Sequence, residues 1–174
     1  REKAPGPTAK SGAKKRQGSG RPEEAVYIHN AGLVILAPFL PRYFDMLEMT
    51  ADGAFVAEKA AARGAHLLQY LVTGQTETPE QLMVFNKILC GLALETPLPL
   101  SIDLTEKELD ISGQLLNSAL ANWEKMSGST VDNLRATFLI REGRLLEHED
   151  SWELKVESKT FDVLDRKSTR LNSS

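Results

Sequence analysis

The sequence predicts a mainly α, α+β fold of four or five helices followed by a C-terminal β-hairpin. Three observations lead there. Thr78-Pro79-Glu80-Gln81 and Thr105-Glu106-Lys107-Glu108 both have the form of a capping box, in which a Thr hydroxyl and a Gln or Glu three residues on satisfy each other's backbone amides. Apolar residues recur every three or four positions along much of Leu33 to Phe138, the period of a helix buried on one face. From Trp152 to Glu157 apolar and charged residues alternate strictly, the period of a half-buried strand.

Taken in order, Val26-Tyr27-Ile28 is a short apolar run expected to be extended, and Asn30 and Gly32 favour a turn after it. Leu33 to Met49 has helical spacing at 33, 36, 40, 44 and 47, with a break or kink expected at Pro38 and Pro41, which lack a backbone donor. Asp52-Gly53 resets the chain. Residues 54–73 read as a helix with Val56, Ala60, Gly64, Leu67 and Leu71 on one stripe, and its small residues suggest close approach to a neighbouring helix. Gly74 is its expected stop.

The box at Thr78 begins a helix with Leu82, Phe85, Leu89 and Leu92 on its stripe and Gly91 at its end. Leu94 to Pro99 is a proline-bounded link. The box at Thr105 begins a helix to about Met126, with Leu109, Leu116, Leu120 and Trp123 inward. Ser129, with Asp132 three residues on, starts the last helix, carrying Val131, Leu134 and Phe138 to about Arg141. Arg144 to His148 is expected to pair with the Trp152 strand through a turn at Glu149-Asp150-Ser151. Phe161, Val163 and Leu164 pack or pair after it.

Three regions follow from composition. Residues 1–25 are a basic Pro/Gly/Ser-rich linker, too poor in apolar surface to offset the entropy of ordering. Residues 26–165 are the folded domain, and 166–174 are a tail without apolar periodicity. Net charge is -3, divided as +4 over residues 1–24 and -7 over the rest. An acidic domain is a poor match for a phosphate backbone. No apolar run approaches the roughly 20 residues that a bilayer span needs. The chain begins with Arg1 rather than Met, as a fragment of a longer protein does, and no apolar stretch of the signal-peptide kind follows the basic start.

Known catalytic patterns find no foothold. Cys90 is the single cysteine, so no internal disulfide is expected, and its place beside Leu89 suggests a buried, inert thiol. His29, His66, His148 and Cys90 share no zinc-type spacing. There is no Gly-x-Ser-x-Gly elbow and no phosphate loop ending in Gly-Lys-Ser/Thr. Acid pairs such as Glu106 with Glu108 and Glu147 with Glu149 have the form of charged, solvated helix faces. Aromatic residues are only 6% and are not interleaved with basic ones, which disfavours a base-stacking platform. Trp123 and Trp152 both fall on expected inner faces. Trp152, Leu154 and Val156 are the candidate partner contact, on the expectation that their strand is an unpaired β-edge. No catalytic, metal-binding or cofactor-binding residue emerges.

Several segments resemble one family. They are Tyr27 to Val34, Pro38-Phe39-Leu40-Pro41, His66 to Gly74, Asn86 to Leu92, Trp123, the Leu134-to-Phe138 helix, Arg141 to Leu145, and the Trp152-to-Glu157 strand. In order and spacing they resemble the contractile injection system tape measure proteins over residues 26–164. Two departures stand out. Ser127-Gly128 replaces a Lys-Asn-Thr-Ser-like stretch. Arg166 to Ser174 replaces a Trp/Pro-rich continuation and resembles translated sequencing-adapter read-through, so the native C-terminus is expected to be missing.

The resemblance implies a non-enzymatic structural part of a bacterial, phage-tail-like syringe, in which a tape measure sets tube length. It implies tube or baseplate proteins as partners, with no small-molecule substrate, cofactor or membrane. It also implies cytoplasmic assembly followed by residence in the particle. The alternative reading is a helical adaptor that binds nucleic acid or a partner protein through the basic arm, with Lys14, Lys15 and Arg16 at its centre.

Overall fold

The computed structural model describes residues 25–126, 128–157 and 159–165. Residues 1–24 of the expected linker, Ser127, Ser158 and the expected tail from Arg166 lie outside them. Strand β1 (Val26–Ile28) pairs antiparallel with β4 (Gly143–Glu147), Ile28 opposite Gly143 and Val26 opposite Leu145. Strand β4 pairs with β5 (Ser151–Val156), and β5 with β6 (Lys159–Asp165). The result is a four-stranded antiparallel sheet in the order β1-β4-β5-β6. The expected hairpin is its centre, and the extended start at Val26 is one of its edges. Along β5 the buried positions are Trp152, Leu154 and Val156, as the alternation predicts. Leu145 joins them in one core with the helices.

The helices lie between β1 and β4 in sequence. Helix α1 (Leu33–Leu36), a 3-10 turn (Ala37–Phe39) and α2 (Leu40–Met46) follow one another. Pro38 and Pro41 each sit in the first turn of the segment that they start, where a missing amide hydrogen is harmless. Leu33, Leu36, Leu40, Tyr43 and Phe44 are buried.

A small hairpin of β2 (Thr50–Ala51) and β3 (Ala54–Phe55) comes next and corrects the expected start of the long helix. Asp52 and Gly53 both have positive φ, 55° and 83°, the signature of a tight hairpin turn. The Val56 amide then donates to the Met49 carbonyl at 3.0 Å, so residues 54–57 are unavailable to the helix. Helix α3 runs over Glu58–Thr73 and ends at Gly74, whose φ is 79°. Gly64 does allow a close approach: an added Cβ would lie 3.0 Å from the Phe55 ring and 3.2 Å from that of Phe44.

The box at Thr78 does not form. Its backbone amide is drawn to the Leu100 carbonyl, and Glu77 bridges to Ser101. That pairing leaves a 3-10 turn (Glu80–Leu82) and a short α4 (Val84–Leu89), with Leu82 exposed. The box at Thr105 forms completely and opens α5 (Glu106–Asn122). Its buried side is Ile111, Leu115, Leu116, Ala119 and Leu120. Leu109, read as inward, is 47% exposed. Trp123 ends α5 and meets Phe138 edge to face, with ring centroids 4.4 Å apart.

Helix α6 (Val131–Leu134) is capped by Thr130, not Ser129: the Asn133 amide donates to the Thr130 hydroxyl at 3.1 Å. It passes into one π turn (Arg135–Leu139) before β4.

Candidate functional site

The segments that carry the resemblance are scattered in sequence and meet in space. His29 and Asn30 follow β1, Gln69 lies on the buried face of α3, and Asn86 on that of α4. Asn30 Nδ2 donates to Asn86 Oδ1 at 2.7 Å and to Gln69 Oε1 at 3.0 Å. Asn86 Nδ2 donates to the Ala65 carbonyl at 2.8 Å and to Gln69 Oε1 at 3.1 Å. Gln69 Nε2 lies 2.7 Å from His29 Nε2. The three amides are buried and His29 is half-buried. Such polar groups persist in a core because they satisfy one another. Asn30 Oδ1 is the exception and has no partner.

The backbone around this junction is tightly fitted. An added Cβ at Gly32 would overlap the Phe138 carbonyl oxygen and the Leu139 Cα. One at Gly143 would stand 2.8 Å from the Ala31 Cβ. Arg135, in the π turn, donates to the carbonyls of Leu71 (Nε) and Tyr70 (Nη2), both at 3.1 Å, and lies over the Tyr70 ring. It satisfies the Leu71 carbonyl, which the end of α3 leaves open, and adds a second donor to the Tyr70 carbonyl, which already accepts the Gly74 amide. Thus β1, α3, α4 and the π turn are joined by residues from four of the resembling segments.

A second cluster lies on the far side of α3. Arg63 meets Glu108 in a two-point ion pair and donates to the Asp103 carbonyl at 2.5 Å. Arg63 and Glu108 border an open groove of about 720 Å³, with Leu47, Met49, Lys59 and Pro97 among its walls. Burial pushes the Glu108 carboxyl up, but Arg63 and Thr105 outweigh it and hold the carboxyl below its ordinary range. The acid pair Glu106 and Glu108 is therefore divided, Glu108 going to an ion pair and Glu106 to the exposed first turn of α5. Buried Lys87 donates to Glu80 at 2.6 Å and to the Leu94 carbonyl at 2.8 Å.

Burial pushes the Cys90 thiol far above its usual value, the opposite of what a nucleophile needs. His66 is buried with Nε2 2.6 Å from the Pro99 carbonyl oxygen, so that nitrogen carries the hydrogen. Among the described residues no group of three His, Cys, Asp or Glu is placed to hold a metal ion. Among them, too, no helix is long and apolar enough to cross a membrane.

Trp152, Leu154 and Val156 are buried on β5, which has a strand on either side. The expected open edge at β5 is thus corrected: β6 covers it, and the outer strands are β1 and β6. Lys14, Lys15 and Arg16 lie outside the described residues. Sequence reasoning picked out the segments that meet at the junction but not the amide network within them. The one available signal was polar residues, Gln69 and Asn86, amid apolar helical runs.

A family model described as contractile injection system tape measure protein matches residues 1–165. No curated protein and no solved structure matches the chain. A match over nearly the full length shows that the chain belongs to the contractile injection system tape measure protein family.

Proposed function

We propose that this chain sets tube length as a tape measure in a phage-tail-like contractile injection system. Its role is structural and non-enzymatic. It associates with tube or baseplate proteins during assembly in the cytoplasm and afterwards stays within the particle. The observation that carries this reading is the family match over residues 1–165. The architecture supports it: side chains typical of chemistry are spent here on the fold, Arg63 and Glu108 on each other, Lys87 on Glu80, and Cys90 on the core.

The test is deletion of the complete gene at the source locus, with particles imaged by negative-stain electron microscopy. Missing particles, or particles of scattered length, are expected. Internal truncations of the complete gene are expected to shorten the tube in proportion. Normal particles of uniform length would overturn the reading.

A further inference from the structure

The amide network has a direction, fixed from one end. The Ala65 carbonyl only accepts, so the nitrogen of the Asn86 amide must face it. The second hydrogen of that nitrogen goes to Gln69 Oε1, which also accepts from Asn30. With its oxygen committed, Gln69 turns its nitrogen to His29 Nε2. An amide nitrogen donates and does not accept. His29 must therefore present a lone pair at Nε2, with its hydrogen on Nδ1 and no charge on the ring.

We propose that His29 is a proton-operated latch, in which protonation of the ring uncouples β1 from α3 and α4.

A protonated ring places N–H against N–H at the Gln69 contact. Turning the Gln69 amide over relieves that clash but sets its nitrogen against Asn86 Nδ2. Turning Asn86 as well sets its oxygen against the Ala65 carbonyl. Every arrangement leaves at least one buried pair of like groups, and a buried polar group without a partner is strongly unfavourable. Asn30 Oδ1 is already unpartnered, so the network has little slack.

Among the residues whose side chains are described, no hydrogen bond or ion pair joins the His29 ring to a charged group. Beside His29, Arg141 gives its backbone amide to the His29 carbonyl while its guanidinium is held by Glu157. Glu142 is exposed, and exposed Arg144 on β4 stands opposite Tyr27. On α3, Arg63 is paired with Glu108, His66 with the Pro99 carbonyl, and Tyr70 lies under Arg135. On α4, Lys87 is held by Glu80, and Cys90 is buried. Burial is what lowers the His29 pKa from its ordinary 6.5.

The sign follows directly. A histidine depressed in the fold contributes stability that is fully present above 6.5 and is lost as pH falls through its folded value. The element released is well suited to release. Strand β1 is three residues long, lies at the sheet edge, and leaves Tyr27 76% exposed.

The test uses the whole 174-residue chain. Long-range nitrogen–proton NMR is expected to show neutral His29 with hydrogen on Nδ1 and titration below 6.5. Amide exchange of Val26–Ile28, corrected for its intrinsic pH dependence, is expected to quicken on acidification. The gain is about tenfold for each unit by which the His29 pKa lies below 6.5. His29→Gln keeps an acceptor but cannot titrate and is expected to abolish that gain, while His148→Gln on the exposed hairpin turn keeps it. Hydrogen on Nε2, titration at or above 6.5, or acid-insensitive β1 exchange in the unaltered chain would each overturn the latch. Those three readings need no variant and stand even if His29→Gln fails to fold.

Discussion

Arg63 grips Glu108 at two points, Nε to Oε2 at 2.6 Å and Nη2 to Oε1 at 2.7 Å, while the same carboxylate accepts the Thr105 amide that opens α5. One side chain thus ties α3 to α5 and caps α5. Glu108→Ala removes both and leaves Arg63 partly buried without its counter-charge. The expected loss is about 2 kcal/mol by urea denaturation, the size of charge-assisted hydrogen bonds plus a cap. Glu108→Gln should lose less.

The same carboxyl gives a pH prediction. It sits below its ordinary 4.5 in the fold, so its contribution is fully present above 4.5 and is lost as pH falls through its folded value. Melting temperature should fall on acidification below 4.5, and that part of the fall should vanish in Glu108→Gln. The His29 effect sets in below 6.5 and that of Glu108 only below 4.5, so His29→Gln and Glu108→Gln each remove their own part of the titration.

Gly32 faces a neighbouring backbone at closer range than any side chain permits. Gly32→Ala should cost about 3 kcal/mol, the upper range for overpacking, because the neighbours that must move are main-chain atoms of the π turn. Calorimetry of the purified variant is the check. Gly113→Ala, where an added Cβ meets nothing within 4 Å, should be neutral or mildly stabilising.

Asn86 makes three hydrogen bonds in the core. Asn86→Ala removes the side-chain donor to the Ala65 carbonyl and strands a hydrogen of Asn30, and should cost about 3 kcal/mol. Asn117→Ala, which loses one exposed bond to the Gly113 carbonyl, should stay within about 0.5 kcal/mol.

Arg135 closes the end of α3 with two hydrogen bonds and a ring contact. Arg135→Ala should cost about 2 kcal/mol, and Arg135→Lys should recover only part, since an ammonium cannot reproduce the planar fork. Hydrogen exchange should locate the loss at the last turn of α3.

The sequence was most legible where structure is set locally. Thr105 and Glu108 formed their box because Arg63 takes the Glu108 carboxylate without displacing the Thr105 amide from it. Thr78 has a capping-box partner at the same spacing, Gln81, but its amide is taken by Leu100, which no local pattern announces. Pro38, Pro41 and Gly74 acted where their backbone chemistry put them. Asp52-Gly53 was read as a reset, whereas its two positive φ angles make a hairpin, and that displaced the start of α3. Leu109 fits an inward stripe by count, yet α5 is turned so that Glu108 reaches Arg63 and Ile111 reaches the core. The alternation at Trp152 told which side of β5 is buried. Whether that strand was an edge depended on β6, beyond the alternating run. The polar junction was hidden because its parts lie 17 to 56 positions apart.

The pairing of β1 with β4 has a consequence for biosynthesis. Ile28 leaves the ribosome well before its partner Gly143, and all the helices of the described residues lie between them. Through that interval the first strand has no neighbour, and the inner side that it shares with Leu145 and Leu154 stays open. Closure is therefore a late, long-range event, of the kind that slows folding and prolongs exposure of apolar surface. A nascent chain stalled before Gly143 would hold its helices around an unfinished seam, a natural target for chaperones. The sheet that completes the domain also times its maturation, and the final step of folding coincides with the emergence of the hairpin.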